Sequence, residues 1–119
     1  MKNKLVYIAS PYAGDVEKNV DFAKRACRHA ISQGYTPIAV HLLYPQMLDD
    51  NDPTEREIGL RLGHRVLERC DELWAYGSRI STGMSYEIAA AQKLGIPIQS
   101  ISQQELEQAE APQPGMRMV

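Results

Sequence analysis

The chain has 119 residues, of which 44% are hydrophobic and 24% charged, and a formal net charge of -2. This is enough for one domain with a real core without disulfides or metal. It lacks the Lys and Arg excess that polymeric nucleic acid demands, and no apolar run approaches the roughly 20 residues of a membrane span. The opening segment MKNKLVYIAS is too short in its apolar part for a secretory leader and reads as a strand, so a cytoplasmic protein is expected. Cys27 and Cys70 have neither CxxC spacing nor a partnered His and fall at helical core positions. Nothing in the pattern calls for a cofactor or a metal.

Leu5–Ala9 (LVYIA) is a short β-rich run broken by Ser10-Pro11-Tyr12-Ala13-Gly14. Between Asp15 and Gln33 the period becomes helical, with Val20, Ala23, Cys27, Ala30 and Ile31 on one face, Asp15 as the N-cap and Gly34 as the stop. Tyr35–Val40 is a second strand, and His41–Asp52 a loop or partly helical excursion. Thr54 and Glu57 stand at capping-box spacing for a helix running to about Cys70. Glu72–Tyr76 is the third strand, and Ser81 or Thr82 caps a helix that Gly95 ends. Ile96–Ile101 is the fourth strand and Gln103–Ala109 a short last helix. A domain over 1–109 is followed by a flexible tail over 110–119, rich in Pro and Gly.

Strict alternation of strand and helix predicts an α/β fold: a single doubly wound parallel sheet of flavodoxin or Rossmann type, order 2-1-3-4, with a fifth strand as a variant. Ligands of such sheets bind beyond the carboxyl ends of the strands, where the order reverses between strands one and three. Topology therefore gathers Ser10–Gly14, His41 and the Ser81–Glu87 turn around one cleft. The helix start at Ser81 offers free backbone N–H groups and the hydroxyls of Ser81, Thr82 and Ser85, and Gly83 permits close approach, which suits an anion such as phosphate. By residue type alone the segment is equally an ordinary capped helix. The first loop matches neither a Walker loop nor GxGxxG, but it supplies the Ser10 hydroxyl, the Tyr12 face and a permissive Gly14. His41 is either a site residue or a plain loop residue, and Asp71 is expected to tie down chain ends.

Glu87 is the one side chain of an ordinarily charged type between Thr82 and Gln92, on the face of Met84, Ala90, Ala91 and Leu94. The helix dipole offers it only about 0.3–1 kcal/mol, so a partly buried carboxylate there needs hydrogen-bond partners, and Tyr7 on the first strand is a candidate. A solvated surface Glu is the plainer alternative.

The pieces YIASPYAG, the strand-end His41, CDELW and STGMSYEIAAA occur in an order that resembles the nucleoside 2-deoxyribosyltransferase-like superfamily, over roughly residues 5 to 100. That superfamily includes deoxyribosyltransferases and 2'-deoxynucleoside 5'-phosphate N-hydrolases. HLLYPQMLDD and the following ER-x-x-GL segment resemble a phage- and bacterium-associated branch. The resemblance implies Glu87 as the catalytic nucleophile and Tyr7 as its neighbour. It implies substrate contacts from Ser10, Pro11, Tyr12, Gly14, His41, Ser81, Gly83, Met84 and Ser85, with Ser81 matching the Ser that holds the 5'-phosphate in the hydrolases. The chain departs from the pattern twice. Gly63, near Arg61 and His64, stands where those enzymes carry a second Asp, and Pro11-Tyr12-Ala13 stands where the hydrolases carry an Arg. His64 or His41 would then protonate the leaving base, and Arg61, Arg65 or Arg79 would compensate at the phosphate. The implied activity is cleavage or transfer of an N-glycosidic bond in a 2'-deoxynucleoside or its monophosphate. The alternative is a nucleotide-binding or sensing module without turnover. Expected partners are a small nucleoside or nucleotide and further copies of the chain, with Tyr44, Met47 and Leu48 as an oligomer contact.

Overall fold

Leu5–Ala9 (β1) lies at the centre of the sheet, and its alternating side chains feed two separate cores. Val6 and Ile8 point to one face, Tyr7 and Ala9 to the other, as the two-residue period of a strand requires. The protein is described here from a computed structural model over residues 3–111; of the tail expected over 110–119, Glu110 is the last residue of a helix and residues 112–119 lie outside the described residues.

The strands Thr36–Ile38 (β2), Glu72–Tyr76 (β3) and Ile98–Ile101 (β4) join β1 in a four-stranded, all-parallel sheet of order β2-β1-β3-β4. Tyr7 pairs with Ile38 on one side and Leu73 on the other. Helices Val16–Ser32 (α1) and Gln103–Glu110 (α4) cover the Val6/Ile8 face, where Ala26, Ala30 and Leu106 are fully buried against Trp74 and Tyr76. Helices Pro53–Glu68 (α2) and Thr82–Leu94 (α3) cover the Tyr7/Ala9 face through Leu67, Met84 and Ala91. Two short 3₁₀ turns, Val40–Leu42 and Tyr44–Gln46, carry the chain from β2 toward α2.

The helix ends follow from local chemistry. Asp15 caps α1 by accepting from Lys18 N, and Ser81 caps α3 by accepting from Met84 N. Gly95 closes α3 in the left-handed conformation at φ 72°. α2 is capped by Asp52, which accepts from Thr54 N at 2.9 Å, and not by a Thr54–Glu57 box. With Pro53 as the first helical residue, the preceding Asp is the better acceptor. α4 is held mainly by Leu106: full burial of a Leu is worth about 1.5–3 kcal/mol. The exposed bidentate Arg25–Glu110 pair at 2.8 and 2.6 Å adds about 1 kcal/mol at most.

Two strands are shorter than their apolar runs. β2 stops at Ile38 because the chain turns into the 3₁₀ segment at Val40. β4 starts at Ile98 because Pro97 has no N–H for the ladder, although its carbonyl accepts from Leu73 N at 2.9 Å. Asp71 ties β1 to β3: its carboxylate accepts from Leu5 N at 2.8 Å and its own N–H donates to Leu5 O at 2.7 Å. Cys70 is buried and Cys27 half-buried, and burial pushes both thiols up to about 11, so both stay protonated and inert.

Candidate active site in the cleft between α1, α2 and α3

The segments following β1, β2 and β3 converge on a cavity of about 910 Å³ at the carboxyl end of the sheet. One wall is the first loop, Pro11 to Asp15, continued by Lys18 and Asn19 of α1. A second wall comes from Val40, His41, Tyr44, Pro45 and Leu48, and a third from Arg56, Gly59, Leu60, Gly63 and His64 of α2. Arg79 to Gly83, Tyr86 and Glu87 close the fourth side.

Glu87 sits one and a half turns into α3 with its carboxyl group turned toward β1, where the Tyr7 hydroxyl donates to Oε2. Oε1 is shielded from solvent and has no hydrogen-bond partner among the described residues. Burial raises the Glu87 pKa to about 7, opposed by the Tyr7 hydrogen bond, which favours the charged form. Burial and the nearby carboxylate push the Tyr7 phenol far up, so it remains a donor throughout the working pH range. The pair thus leaves one carboxylate oxygen held and the other free, in a group that ionises near neutrality.

The first loop is locked by Asn19, whose side-chain amide donates to Tyr12 O at 2.9 Å and Ala13 O at 3.0 Å. Gly14 adopts φ 99°, a left-handed backbone that a side chain would strain. The Tyr12 ring held there stacks on His41, with centroids 5.1 Å apart and planes at 27°. Burial lowers the His41 pKa, with Asp50 opposing, so its ring is neutral at pH 7 and serves as an aromatic surface and neutral hydrogen-bonding group.

Of the residues singled out in the sequence, Tyr7, Pro11, Tyr12, Gly14, His41, His64, Ser81, Gly83 and Glu87 line this cavity. Ser10, Met84, Ser85 and Arg61 do not, each for a periodicity reason. Ser10 follows Val6 and Ile8 onto the opposite side of β1, where it is 1% exposed and its hydroxyl has no partner. Met84 faces the sheet and is buried in the core. Ser85 lies two residues from both Gly83 and Glu87, hence across the helix, and its hydroxyl donates to Thr82 O at 2.6 Å. Arg61 is likewise two residues from Gly59 and Gly63 and is exposed. Tyr44 and Leu48, expected at an oligomer contact, line the cavity, and Met47, expected with them, is exposed.

The sequence reading missed Asn19, Lys18, Arg56 and Gly59. Lys18 and Asn19 lie one turn into α1, a stretch read only for its apolar face. Lys18, Arg56 and Arg79 all line the cavity and make no ion pair among the described residues. No group of three or more His, Cys, Asp or Glu among the described residues is placed to hold a metal, and none of the described helices is long and apolar enough to cross a membrane.

A buried carboxylate and phenol at the carboxyl edge of a 2-1-3-4 parallel sheet define an α/β protein with a switch-point cleft, and the fold is shared with 2-deoxyribosyltransferases. The 2-deoxyribosyltransferase of the psychrotolerant bacterium Bacillus psychrosaccharolyticus superposes with a TM-score of 0.68 at 18% identity, over 82% of this chain and 72% of that one. A 2-deoxyribosyltransferase from Leishmania mexicana gives 0.55 at 16% identity, over 83% of this chain and 64% of its own length. The chain belongs to the DUF7768 family, a domain of unknown function, whose model matches residues 4–101. No curated protein matches it.

Proposed function

We propose that this protein cleaves or transfers the N-glycosidic bond of a 2'-deoxynucleoside or its 5'-monophosphate, with Glu87 as nucleophile. The observation that carries the reading is the Glu87 carboxylate itself: Oε2 is fixed by Tyr7, and Oε1 is shielded and without a partner among the described residues, beside a cavity with ample room for a nucleotide. The similarity in fold to a Bacillus 2-deoxyribosyltransferase described as a suitable biocatalyst for nucleoside synthesis supports the same substrate class.

A 2-deoxy sugar lacks the electron-withdrawing 2'-hydroxyl, so positive charge at C1' develops readily as the base departs. The free oxygen of Glu87 stabilises that charge and then bonds to C1', while the C1'–N bond breaks and its electron pair leaves with the base. The base takes a proton, which His64 or His41 in the cavity wall supplies in this reading. Water attacking C1' of the glycosyl-enzyme completes hydrolysis, and a second base in its place completes transfer; in either step the C1'–O bond to Glu87 breaks, the carboxylate is restored, and the proton of the incoming group returns to the histidine. Lys18 and Arg79, with the N–H groups at Ser81–Gly83, suit a 5'-phosphate.

Gly63 favours a second reading. It lies beside Tyr7 and brings no carboxylate to the base, which fits a nucleotide-binding module that does not turn over. Incubating the protein with each deoxynucleoside and its monophosphate, and following free base by chromatography, separates the two. Base released by the wild type and not by Glu87→Gln supports the enzyme. Saturable binding without base release supports the module.

A further inference from the structure

The two edges of the sheet differ in what they offer a neighbour. On β2, Thr36 N donates to Lys4 O at 2.9 Å, and inward and outward residues alternate along the strand, so Pro37 is the one that turns its backbone outward. Pro has no N–H, and that edge is blunted. On β4, Pro97 O accepts from Leu73 N at 2.9 Å and Ile101 O from Gly77 N at 3.0 Å. Pro97, Gln99 and Ile101 therefore face β3, while Ile98 and Ser100 face away from it. The outward groups to either side are already used: Ile96 N donates to Ala91 O at 2.9 Å, and Ser102 N to the Glu105 carboxylate at 3.3 Å. The outward N–H and C=O of Ile98 and Ser100 have no partner among the described residues, and Ile98, Gln99 and Ser100 are exposed. Natural sheets guard such an edge with Pro or a charged side chain. Here Pro97 turns inward, and no residue from Leu94 to Gln104 is charged.

We propose that β4 pairs antiparallel with β4 of a second copy of this chain, about a two-fold axis at Gln99, joining two four-stranded sheets into one continuous sheet. The register follows from which groups are free. In an antiparallel ladder, pairs that exchange both hydrogen bonds alternate with pairs that exchange none. Ile98 exchanges two bonds with Ser100 of the partner subunit, the same exchange recurs across the axis, and Gln99 faces its own copy as the non-bonded pair between them. Every free backbone group on the edge is used. A two-fold sets each residue near the axis against itself, so a charge there would repel its copy. An amide does not, because Gln99 donates and accepts at once. The uncharged run from Leu94 to Gln104 therefore suits a second copy, and Leu94 and Ile98 add exposed apolar surface to the same segment. No β4 residue lines the cleft, so pairing leaves both clefts open and is independent of what they bind.

The test is the mass of the intact chain by light scattering after size exclusion, with amide hydrogen exchange by NMR, for wild type, Gln99→Lys, Ser100→Pro and Met47→Asp. The wild type is expected at twice the mass of one chain, with the Ile98 and Ser100 amides protected. Gln99→Lys sets like charges against each other at the axis, and Ser100→Pro removes an outward donor, as Pro37 does on β2. Each should raise the dimer dissociation constant at least about tenfold and lose protection at Ile98. Met47→Asp, in the segment that follows β2 at the other edge, should leave the dimer unchanged. A wild type that stays monomeric at the concentrations used for NMR overturns the pairing; protected Ile98 and Ser100 amides in that monomer would assign the edge to a segment of the same chain. A dimer that Gln99→Lys leaves intact, or that only Met47→Asp dissociates, overturns it too, by placing the interface elsewhere. Should Ser100→Pro fail to fold, Gln99→Lys, a change at an exposed side chain, decides the matter.

Discussion

The two faces of the sheet bury a tyrosine each, and they treat it differently. On the α1/α4 face the Tyr76 hydroxyl meets His29 Nδ1 at 2.8 Å inside a cluster with Trp74 and Tyr35, closed over by Leu106. On the α2/α3 face Tyr7 meets a carboxylate, and beside it lies the large cavity. A phenol and a neutral imidazole satisfy each other at little cost in a core. A phenol and a carboxylate leave a second oxygen without a partner and a charge short of water. One face has the chemistry of a finished core, the other that of a site awaiting a ligand.

Removing the proposed nucleophile breaks this contrast most severely. Glu87→Gln should lower base release by roughly a thousandfold or more, whereas Tyr76→Phe on the closed face should leave turnover near wild type; chromatographic assays of both variants check it. Equal loss in the two would mean that the faces are not functionally distinct.

The pH dependence of stability sharpens the comparison, because the two pairs have opposite signs. Glu87 titrates near 4.5 when unfolded and near 7 when folded, so the native state holds the extra proton between those values. Its contribution is complete below about pH 4.5 and is lost as pH rises through about 7, a change of about 3 kcal/mol. Glu87→Gln should therefore gain stability over the wild type progressively from pH 5 to pH 8 in denaturant titrations. Burial depresses His29, so that pair loses stability as pH falls through the ordinary His range, and His29→Gln should flatten the acid side of the curve.

Tyr7→Phe should act in a smaller, separable way. It leaves a shielded carboxylate oxygen without its donor, at about 1–3 kcal/mol. It also raises the Glu87 pKa further, so the acid limb of kcat/KM, expected near pH 7 in the wild type, should move to higher pH. An unmoved limb would show that Glu87 does not govern it. The smallest effect is expected at Gly83, where an added Cβ meets nothing within 4 Å. Gly83→Ala should stabilise α3 by about 0.5–1 kcal/mol while weakening the binding of a deoxynucleoside monophosphate, read as a raised melting temperature with a reduced ligand-induced shift.

Much of this frame was legible in local pattern. β1, β3, the Ser81 cap and the Gly95 stop are each set by a run of neighbouring residues, and the structure places them at the residues the pattern indicates. The order β2-β1-β3-β4 followed from strict alternation and brought the first loop, His41 and α3 together. The capping of α2 was misread because two acceptors, Asp52 and Thr54, stood two residues apart and spacing alone does not rank them.

The sequence by itself determined where elements begin and end, since caps, breakers and apolar periods act over a few residues. Only the tertiary structure decided which side of each element faces the cleft: it turned Ser10 and Ser85 away and presented Lys18, Gly59 and Gly63. It also decided the state of Glu87, because a carboxylate's pKa depends on how much water is excluded around it and on which donor reaches it, and the donor, Tyr7, stands 80 positions away in the chain.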